Sequence, residues 1–316
     1  MNVHSLRERP APSLARMLEE FETGFTYPLG PERWFRISHG EDYPRFFRAI
    51  GEATCFVAEQ GGRVVGALGV AIRPLLMPDG SEQQTAYIGD LKVDPKARGT
   101  LLFLRLAQAA LAWARPQVTS AYGVVMDGTR ASPQSYTGRV GIPSFLQAGQ
   151  ILVVRYACER AAPAGEGKRW LASAAQGESC YRALVGGRYT PWGGTPAVRS
   201  EIAPMWLVEP DGTACGRLED TRRAKRLIDS NGVEMQSAHL ACFAARTPRA
   251  GAEIIQAARR QCAMKGIPAL FVSVAPQDVA ALSSALGPIE SIIAPATIFA
   301  AGLPIGPAWN INSSEI

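Results

Sequence analysis

The chain has 316 residues with a formal net charge of +5, and 47% of the residues are hydrophobic and 19% charged. This composition is ordinary for a globular protein and excludes wholesale disorder, a collagen and a small disulfide-rich scaffold. At roughly 150 residues per domain, the length predicts about two domains, each large enough for its own core.

The distribution of charge and of apolar residues excludes further classes. The 33 Lys and Arg residues form no basic tail or block, so the sequence predicts binding neither to nucleic acid nor to a membrane surface. The longest uncharged stretch, residues 291–314, contains three prolines and two glycines, which favours a strand and a loop over a membrane span. No apolar segment follows the arginines of residues 1–10, so a signal peptide is not indicated and we expect a cytoplasmic protein.

The six cysteines and three histidines predict no metal site. No two cysteines form a CxxC pair, and most of them lie in apolar runs such as residues 240–243, so buried, reduced thiols are expected. His4, His39 and His239 are too scattered along the chain to indicate a set of metal ligands.

Apolar periodicity predicts alternating strands and helices in the first half. Gly61-Gly62 separates two β-rich runs, which is typical of a hairpin. The predicted elements in chain order are a strand at 4–9, helices at 13–21 and from Asp42, strands at 54–58, 63–72 and 85–93, a turn at 95–99, a helix at 101–114, a strand at 118–126, an irregular helical segment at 132–148 and a strand at 151–156.

Residues 161–167 are small, Pro/Gly-rich and close to the midpoint of the chain. A segment of this kind is typical of a linker. The sequence therefore predicts one domain at 1–160 and a second at 168–316.

The second half partly repeats the order of elements in the first. Pro210-Asp211-Gly212 indicates another hairpin, and both halves end on strand, helix, strand, helix and strand. The predicted elements are a strand at 170–174, a helix at 178–185, strands at 205–208, 214–218 and 236–245, a helix at 250–265, a strand at 267–274, a helix at 278–286 and a strand at 296–301.

One segment of the first half carries a motif. Val93-Asp94-Pro95 ends a predicted strand, Arg98-Gly99 lies in the following turn, and a long helix begins at Leu101. This order resembles motif A of the GNAT superfamily of acyl-CoA-dependent N-acetyltransferases, and the resemblance covers about residues 1–156. It implies an α/β (α+β) fold with two GNAT-like domains, each a mixed, mostly antiparallel central sheet flanked by helices, the second of them degenerate.

The resemblance also implies that acetyl-CoA is the co-substrate. A helix N-terminus has unpaired N–H groups for a pyrophosphate, Arg98 adds a cation, and Gly99 permits close approach of the backbone. Leu101 and Phe103 occupy the positions of the second and third glycines of the family's motif. The residues expected at the cofactor are Leu91 and Val93 on the strand, and Arg98, Gly99, Thr100, Leu101, Leu102 and Phe103 at the turn and helix start.

In such a protein an amine attacks the acyl-CoA directly. Asp90, between Gly89 and Leu91 in an otherwise apolar strand, is the candidate for removing the amine proton through a water, with a pKa raised by burial. The family's usual tyrosine on the thiolate side falls on Phe145, so Tyr136 in the same segment is the candidate substitute.

The second half contains no Arg-Gly-x-Gly motif, so we predict that the first half is catalytic and that the second is structural or shapes the substrate site. The alternative is a non-catalytic module that binds acyl-CoA or another small ligand. The charged run at 219–226 is either a solvated face or part of the rim of the acceptor cleft. The sequence leaves open whether the acceptor is a small-molecule or a peptide amine, and whether the protein is a monomer or a homodimer.

Overall fold

Both halves of the chain contribute strands to one large sheet. The computed structural model describes residues 1–28, 33–97, 101–129, 131–158 and 170–316. Fourteen strands form this sheet and three form a second, smaller one. The large sheet is mostly antiparallel and is flanked by helices, which confirms the predicted mixed α/β architecture.

The first half alternates strands and helices much as its periodicity predicts. Its described elements are β1 (Asn2–Leu6), α1 (Pro12–Glu22), β2 (Tyr27–Pro28), β3 (Trp34–Ser38), α2 (Pro44–Arg48), β4 (Glu52–Gln60), β5 (Arg63–Leu76), β6 (Glu82–Val93), α3 (Leu102–Ala114), β7 (Ala121–Met126), α4 (Pro133–Tyr136) and β8 (Leu146–Ala157).

The second half follows with a similar order. Its described elements are β9 (Leu171–Ala172), α5 (Ala174–Leu184), β10 (Arg188–Pro191), α6 (Pro196–Arg199), β11 (Met205–Val208), β12 (Ala214–Glu219), β13 (Arg226–Asp229), β14 (Ala238–Ala245), α7 (Pro248–Met264), β15 (Ala269–Val274), α8 (Val279–Leu286), β16 (Ser291–Ala301) and β17 (Ala308–Trp309).

The helix α3 packs on the sheet through one face. Leu102, Leu106, Ala107 and Ala110 are buried at helical spacing and contact the core between α3 and the strands β4 to β6. Gly66 of β5 makes room for them, because a Cβ at this position would lie 2.9 Å from a methyl carbon of Leu106.

The predicted helical segment at 132–148 is wrong for most of its length. Only Pro133–Tyr136 is helical, and Leu146 already belongs to β8. Gly138 and Gly141 adopt positive φ angles of 78°, which end the helix because the left-handed conformation does not continue it.

The two halves exchange their last strands. The order in the large sheet is β6-β7-β16-β8-β15-β14. The last strand of the second half, β16, therefore lies between β7 and β8 of the first half, and pairs antiparallel with both. In the same way β8 pairs with β15 of the second half.

Next to this exchange, β6 and β7 diverge. They are parallel and pair only at Ala86 with Ala121 and at Tyr87 with Tyr122. Gly123 still lies close to β6, because a Cβ there would lie 2.7 Å from the carbonyl oxygen of Ile88. Beyond this point β7 follows β16, and a cleft opens beside the second part of β6.

The predicted linker at 161–167 lies outside the described residues, so the domain limits 1–160 and 168–316 stay a prediction. Within the described part of the chain, no helix is both long and apolar enough to cross a membrane.

The strand exchange predicts that the halves do not separate after a cut between them. With a protease site inserted within residues 161–167, we expect both fragments to stay folded and to elute together in size-exclusion chromatography. The reason is that each half then keeps a strand of the other in its sheet. The uncut protein with the same insertion is the control, and two fragments that elute apart, each with its native circular dichroism, would contradict the prediction.

Candidate functional site

A cavity of about 760 Å³ lies at the cleft between β6 and β7. This volume falls within the range of roughly 300–1,000 Å³ that is typical of ligand sites. One wall is α3, through Phe103, Ala107, Ala110, Leu111 and Ala114, and most of the other lining side chains are apolar. The small sheet β2-β3-β13, built from both halves, contributes to the opposite side.

A β-bulge in β6 opens onto this cavity. Ala67 of β5 faces Lys92 and Gly69 faces Gly89, so that two residues, Asp90 and Leu91, stand opposite Leu68 alone. Asp90 has a φ of 55°, which is unfavourable for a residue with a side chain and indicates a conformation fixed by its surroundings. A bulge leaves one residue outside the ladder of hydrogen bonds, and it thereby makes backbone polar groups available to a ligand.

Four of the predicted site residues on and around the motif line the cavity. They are Asp90, Leu91, Phe103 and Tyr136. The rings of Phe103 and Tyr136 meet edge to face with their centroids 4.9 Å apart, although the two residues lie on different helices.

Among the described residues, Val93, Leu101 and Leu102 do not line the cavity. Leu102 is 1% exposed within the core under α3, Leu101 is 62% exposed, and Val93 packs on the same core as Leu102. The side chain of Leu102 is therefore closed to a ligand, and the role of Leu101 stays a prediction. Arg98, Gly99 and Thr100 lie outside the described residues. Leu101, at the N-cap of α3, makes no side-chain hydrogen bond to the helix.

The carboxylate of Asp90 is an acceptor for two buried donors. The Tyr43 hydroxyl donates to Oδ2 and the Lys92 ammonium donates to Oδ1, each over 2.5 Å. Burial by itself raises the pKa of Asp90, but the nearby charges of Lys92 and His39 together with these hydrogen bonds lower it to about 2. The raised pKa expected from the sequence is wrong in direction, because Lys92 on the same strand neutralises the carboxylate.

Glu22 of α1 completes this charged cluster. It accepts from the backbone N–H of His39 at 2.6 Å, and its other carboxylate oxygen lies 2.6 Å from His39 Nδ1. The oxygen and nitrogen atoms of Glu22, His39 and Asp90 lie close enough to one another to hold a metal ion. The Lys92 ammonium, however, lies 3.7 Å from Glu22 as well as against Asp90, and it already supplies the positive charge that an ion would bring.

The segment of the missing tyrosine is apolar where the family has a hydroxyl. Phe145 is buried and packs on Phe299 and Ala301. Tyr136 lines the cavity instead, and burial raises its pKa to about 12. The hydroxyl of Tyr136 is therefore protonated at neutral pH and can donate a hydrogen bond.

The second half contributes to the cavity Lys225, from the charged run at 219–226, and two residues that sequence reasoning did not assign to the site. Lys225, His239 and Ser313 line the cavity, and all three are nearly fully buried. His239 Nδ1 lies 3.1 Å from Ser313 Oγ, and burial, followed by the charges of Lys225 and Arg199, lowers the pKa of His239 well below its usual range. The charged run at 219–226 thus does not form a solvated face, since most of its residues are buried.

Lys225 is buried, and its described partners are a main-chain oxygen and an aromatic ring. Its ammonium donates to the main-chain oxygen of Ile316 and lies 4.5 Å from the ring centre of Phe46. Burial, Arg199 and Lys92 lower its pKa against the raising effect of Asp90 and Glu315, and the result is a pKa of about 7.

The matching place in the second half is closed. The β14 strand has the same kind of bulge, with Cys242 at a φ of 50° opposite Gly216. There the backbone N–H of Cys242 donates to Asn312 Oδ1 over 2.8 Å, so the chain itself occupies the position that is open to the cavity at Asp90.

The start of α7 also differs from the start of α3. Residues 246–247 alone separate β14 from α7, whereas residues 94–101 separate β6 from α3. The Thr247 side chain accepts from the backbone N–H of Ala250 and caps α7. The second half therefore has no connection of the same length at the position where the sequence predicts a pyrophosphate site in the first half.

The chain is similar to known proteins both in the sequence of one segment and in its fold. Residues 14–133 match the family model of the Acetyltransferase (GNAT) family, and no curated protein sequence matches the chain. Two structures of Saccharomyces cerevisiae N-myristoyltransferase with bound myristoyl-CoA are similar in fold. They are 9% identical over 99% of this chain and 87% and 82% of theirs, with TM-scores of 0.62 and 0.61. Eis1 from Mycobacterium abscessus is 12% identical over 94% of this chain and 73% of its own, with a TM-score of 0.45.

We predict that Asp90→Asn destabilises the protein by about 3–5 kcal/mol, because it removes the carboxylate that lies 2.5 Å from the buried Lys92 ammonium and leaves the more distant Glu22 carboxylate, at 3.7 Å. Urea denaturation at pH 7 measures this loss. The difference from the wild type should narrow as the pH falls from about 4 to about 2, because the contribution of Asp90 is present above its unfolded pKa and disappears as its carboxylate is protonated in the folded state.

Two further variants test whether this loss of stability comes from the buried Asp90–Lys92 pair. Adding Lys92→Met to Asp90→Asn should restore part of the lost stability, since no charge then remains unpaired. Glu82→Gln removes one side of the exposed Arg182–Glu82 pair and should cost less than about 1 kcal/mol. A single Asp90→Asn variant as stable as Glu82→Gln would show that the buried pair has no such role.

For Lys225 we predict that Lys225→Met is more stable than the wild type at pH 6 by about 2–4 kcal/mol, and that the difference disappears towards pH 10. Between its folded pKa of about 7 and its unfolded pKa, the unfolded chain binds more protons than the folded one. Stability of the wild type therefore rises with pH across this window. Denaturation at a series of pH values measures the effect, with the exposed Lys96→Met as control; identical pH dependence of all three proteins would contradict it.

Proposed function

We propose that the protein transfers an acyl group from an acyl-CoA thioester to an amine, with the donor bound in the first half; the match of residues 14–133 to the family model of the Acetyltransferase (GNAT) family supports this proposal. The bulge at Asp90, open to the cavity, carries this proposal, because its counterpart at Cys242 is filled by Asn312. We therefore place acyl transfer at the Asp90 bulge and not at the Cys242 bulge.

The cofactor is proposed to bind along the motif. The N-cap residue of α3, Leu101, makes no side-chain hydrogen bond to the helix, and we expect the pyrophosphate to bind at this helix start, near the positive end of the helix dipole and beside Arg98, Gly99 and Thr100. The pantetheine arm then lies along β6 at Leu91 and Val93, where β7 has diverged and leaves backbone groups of β6 without a neighbouring strand.

The reaction at the bulge forms one bond and breaks one. The amine nitrogen attacks the thioester carbonyl carbon, the C–N bond forms, and the C–S bond breaks to release the CoA thiolate. Negative charge develops on the carbonyl oxygen during the attack, and a backbone N–H at the bulge can donate to it. Tyr136 is the candidate that donates a proton to the leaving sulfur.

Asp90 fits a positioning role in this scheme better than that of a base. A carboxylate with a pKa of about 2 binds protons too weakly to deprotonate an ammonium efficiently. Its contacts with Lys92 and Tyr43 hold the bulge in its unfavourable conformation. Lys225, with a pKa of about 7, has a proton affinity that suits proton removal, and the stability measurements on Lys225→Met test that pKa directly.

The acceptor amine is proposed to enter from the side of the second half. Lys225, His239 and Ser313 lie on that side of the cavity, together with the small sheet β2-β3-β13. These residues leave open a small-molecule or a peptide amine, so a panel of both kinds is needed in the assay.

The proposed donor site predicts that Arg98, before α3, and Arg249, at the start of α7, differ in their contribution to CoA affinity. Arg98→Ala should weaken CoA binding by about 1.5–3 kcal/mol, the range for a charge-assisted hydrogen bond. Arg249→Ala, at the start of α7, should leave CoA affinity unchanged, because Arg249 is exposed and contacts only Glu253 among the described residues.

Calorimetry with CoA measures both affinities, and thiol release with the amine panel measures turnover. Loss of CoA binding in the Arg249 variant with full binding in the Arg98 variant would place the cofactor in the second half and overturn the assignment. Tight binding without thiol release from any amine would favour the non-catalytic module.

A further inference from the structure

The apolar part of the cavity is far larger than an acetyl group requires. Phe103, Ala107, Ala110, Leu111 and Ala114 form one continuous stripe along α3 that faces the cavity. At 1.5 Å per residue the stripe is about 16 Å long. A two-carbon acyl group leaves almost all of this surface without a ligand.

The position of the stripe relative to the bulge indicates what lies on it. Since α3 returns along the sheet after β6, the start of α3 is beside the end of β6, and Ala114 lies towards Ala86, where β6 and β7 still pair. A pantetheine arm from the start of α3 ends at Asp90. From Asp90 back to Ala86, where β6 and β7 pair, residues of β6 still line the cavity that α3 lines, over about 13 Å at roughly 3.3 Å per residue.

Most side chains that line this second stretch are apolar, although Ser120, whose carbonyl oxygen accepts from the backbone N–H of Ala86, also lines the cavity. The apolar ones include Ala86 and Ile88 of β6, Val125 of β7, Phe145, and Ala110 and Ala114 of α3. Small side chains on the helix leave the space, and the surrounding larger ones exclude water from it. An apolar cavity of this shape binds a ligand by removing CH₂ groups from water.

We propose that the acyl group that the protein transfers is a long hydrocarbon chain, held between β6, β7 and the second half of α3 beyond the Asp90 bulge. This inference rests on the proposed function, and it replaces the acetyl donor expected from the family resemblance by a fatty acyl-CoA. Ala110 and Ala114 then determine how long a chain fits.

The test measures the affinity of the full-length protein for CoA and for acetyl-, butanoyl-, octanoyl-, dodecanoyl- and tetradecanoyl-CoA, below their micelle concentrations. Each buried CH₂ should raise the affinity by up to about fourfold, until the chain reaches the end of the cavity. Equal affinity for acetyl-CoA and the long-chain thioesters would overturn the inference while leaving the proposed function intact. Failure of CoA and all the thioesters to bind would overturn the proposed function itself.

A variant pair locates the chain. Ala110→Phe fills the cavity and should lower the affinity for tetradecanoyl-CoA at least tenfold, with acetyl-CoA affinity unchanged. Ala112→Phe places the same ring on the exposed face of the same helix and should change neither. If Ala110→Phe does not fold, the partly exposed Ala114→Phe carries the same expectation. An equal loss of both thioesters, or a loss shared by Ala112→Phe, would place the chain elsewhere and overturn the assignment.

Discussion

The exchange of β8 and β16 between the halves is the constraint on which the rest of the structure depends. All of β7, from Ala121 to Met126, pairs with β16. The direction of β7 is therefore set by the second half and not by β6. The cleft beside Asp90 exists because β6 loses its neighbour after Tyr87. The same exchange brings Lys225, His239 and Ser313 to a cavity whose motif lies in the first half, so neither half alone contains the site.

The bulge at Asp90 in the first half is open to the cavity, whereas the matching bulge at Cys242 in the second half is closed. The segment after β16 accounts for this difference. That segment is fixed by charges that both halves contribute: Glu315 accepts from Arg73 of β5 at 2.6 Å and from Arg199 of α6 at 3.3 Å. Glu219 in turn accepts from Arg199 at 2.6 Å. Buried ions of this kind are stable only when each has its partner, so the network fixes one path for the segment. Along this path Asn312 reaches Cys242, and the second bulge is closed.

Local sequence signals predicted the elements around the site, and the long-range arrangement accounts for what they missed. Periodicity predicted the motif strand and helix, and the glycine-containing turns predicted both hairpins. Arg98-Gly99 led to the prediction of a cofactor site in the first half. The sequence analysis named Asp90 as a candidate site residue but gave the wrong direction for its pKa shift. That direction depends on Lys92, two residues later, which alternation along a strand would place on the same face. That signal was present in the sequence. Strand exchange, the closure by Asn312 and the burial of Lys225 depend on contacts between residues far apart in the chain, and no local pattern encodes them.

These constraints place the charged residues around Asp90 next to the apolar cavity, and this arrangement affects the proposed acyl transfer. Asp90 and Lys92 form a buried ion pair beside the apolar cavity, with Glu22 and His39 next to it. In such surroundings a hydrogen bond to a developing negative charge is stronger than it is in water, because little solvent screens it. A hydrocarbon chain in the cleft would exclude water further. The donor's own acyl group would then complete the environment in which its carbonyl is attacked, which couples recognition of the chain to the rate of transfer.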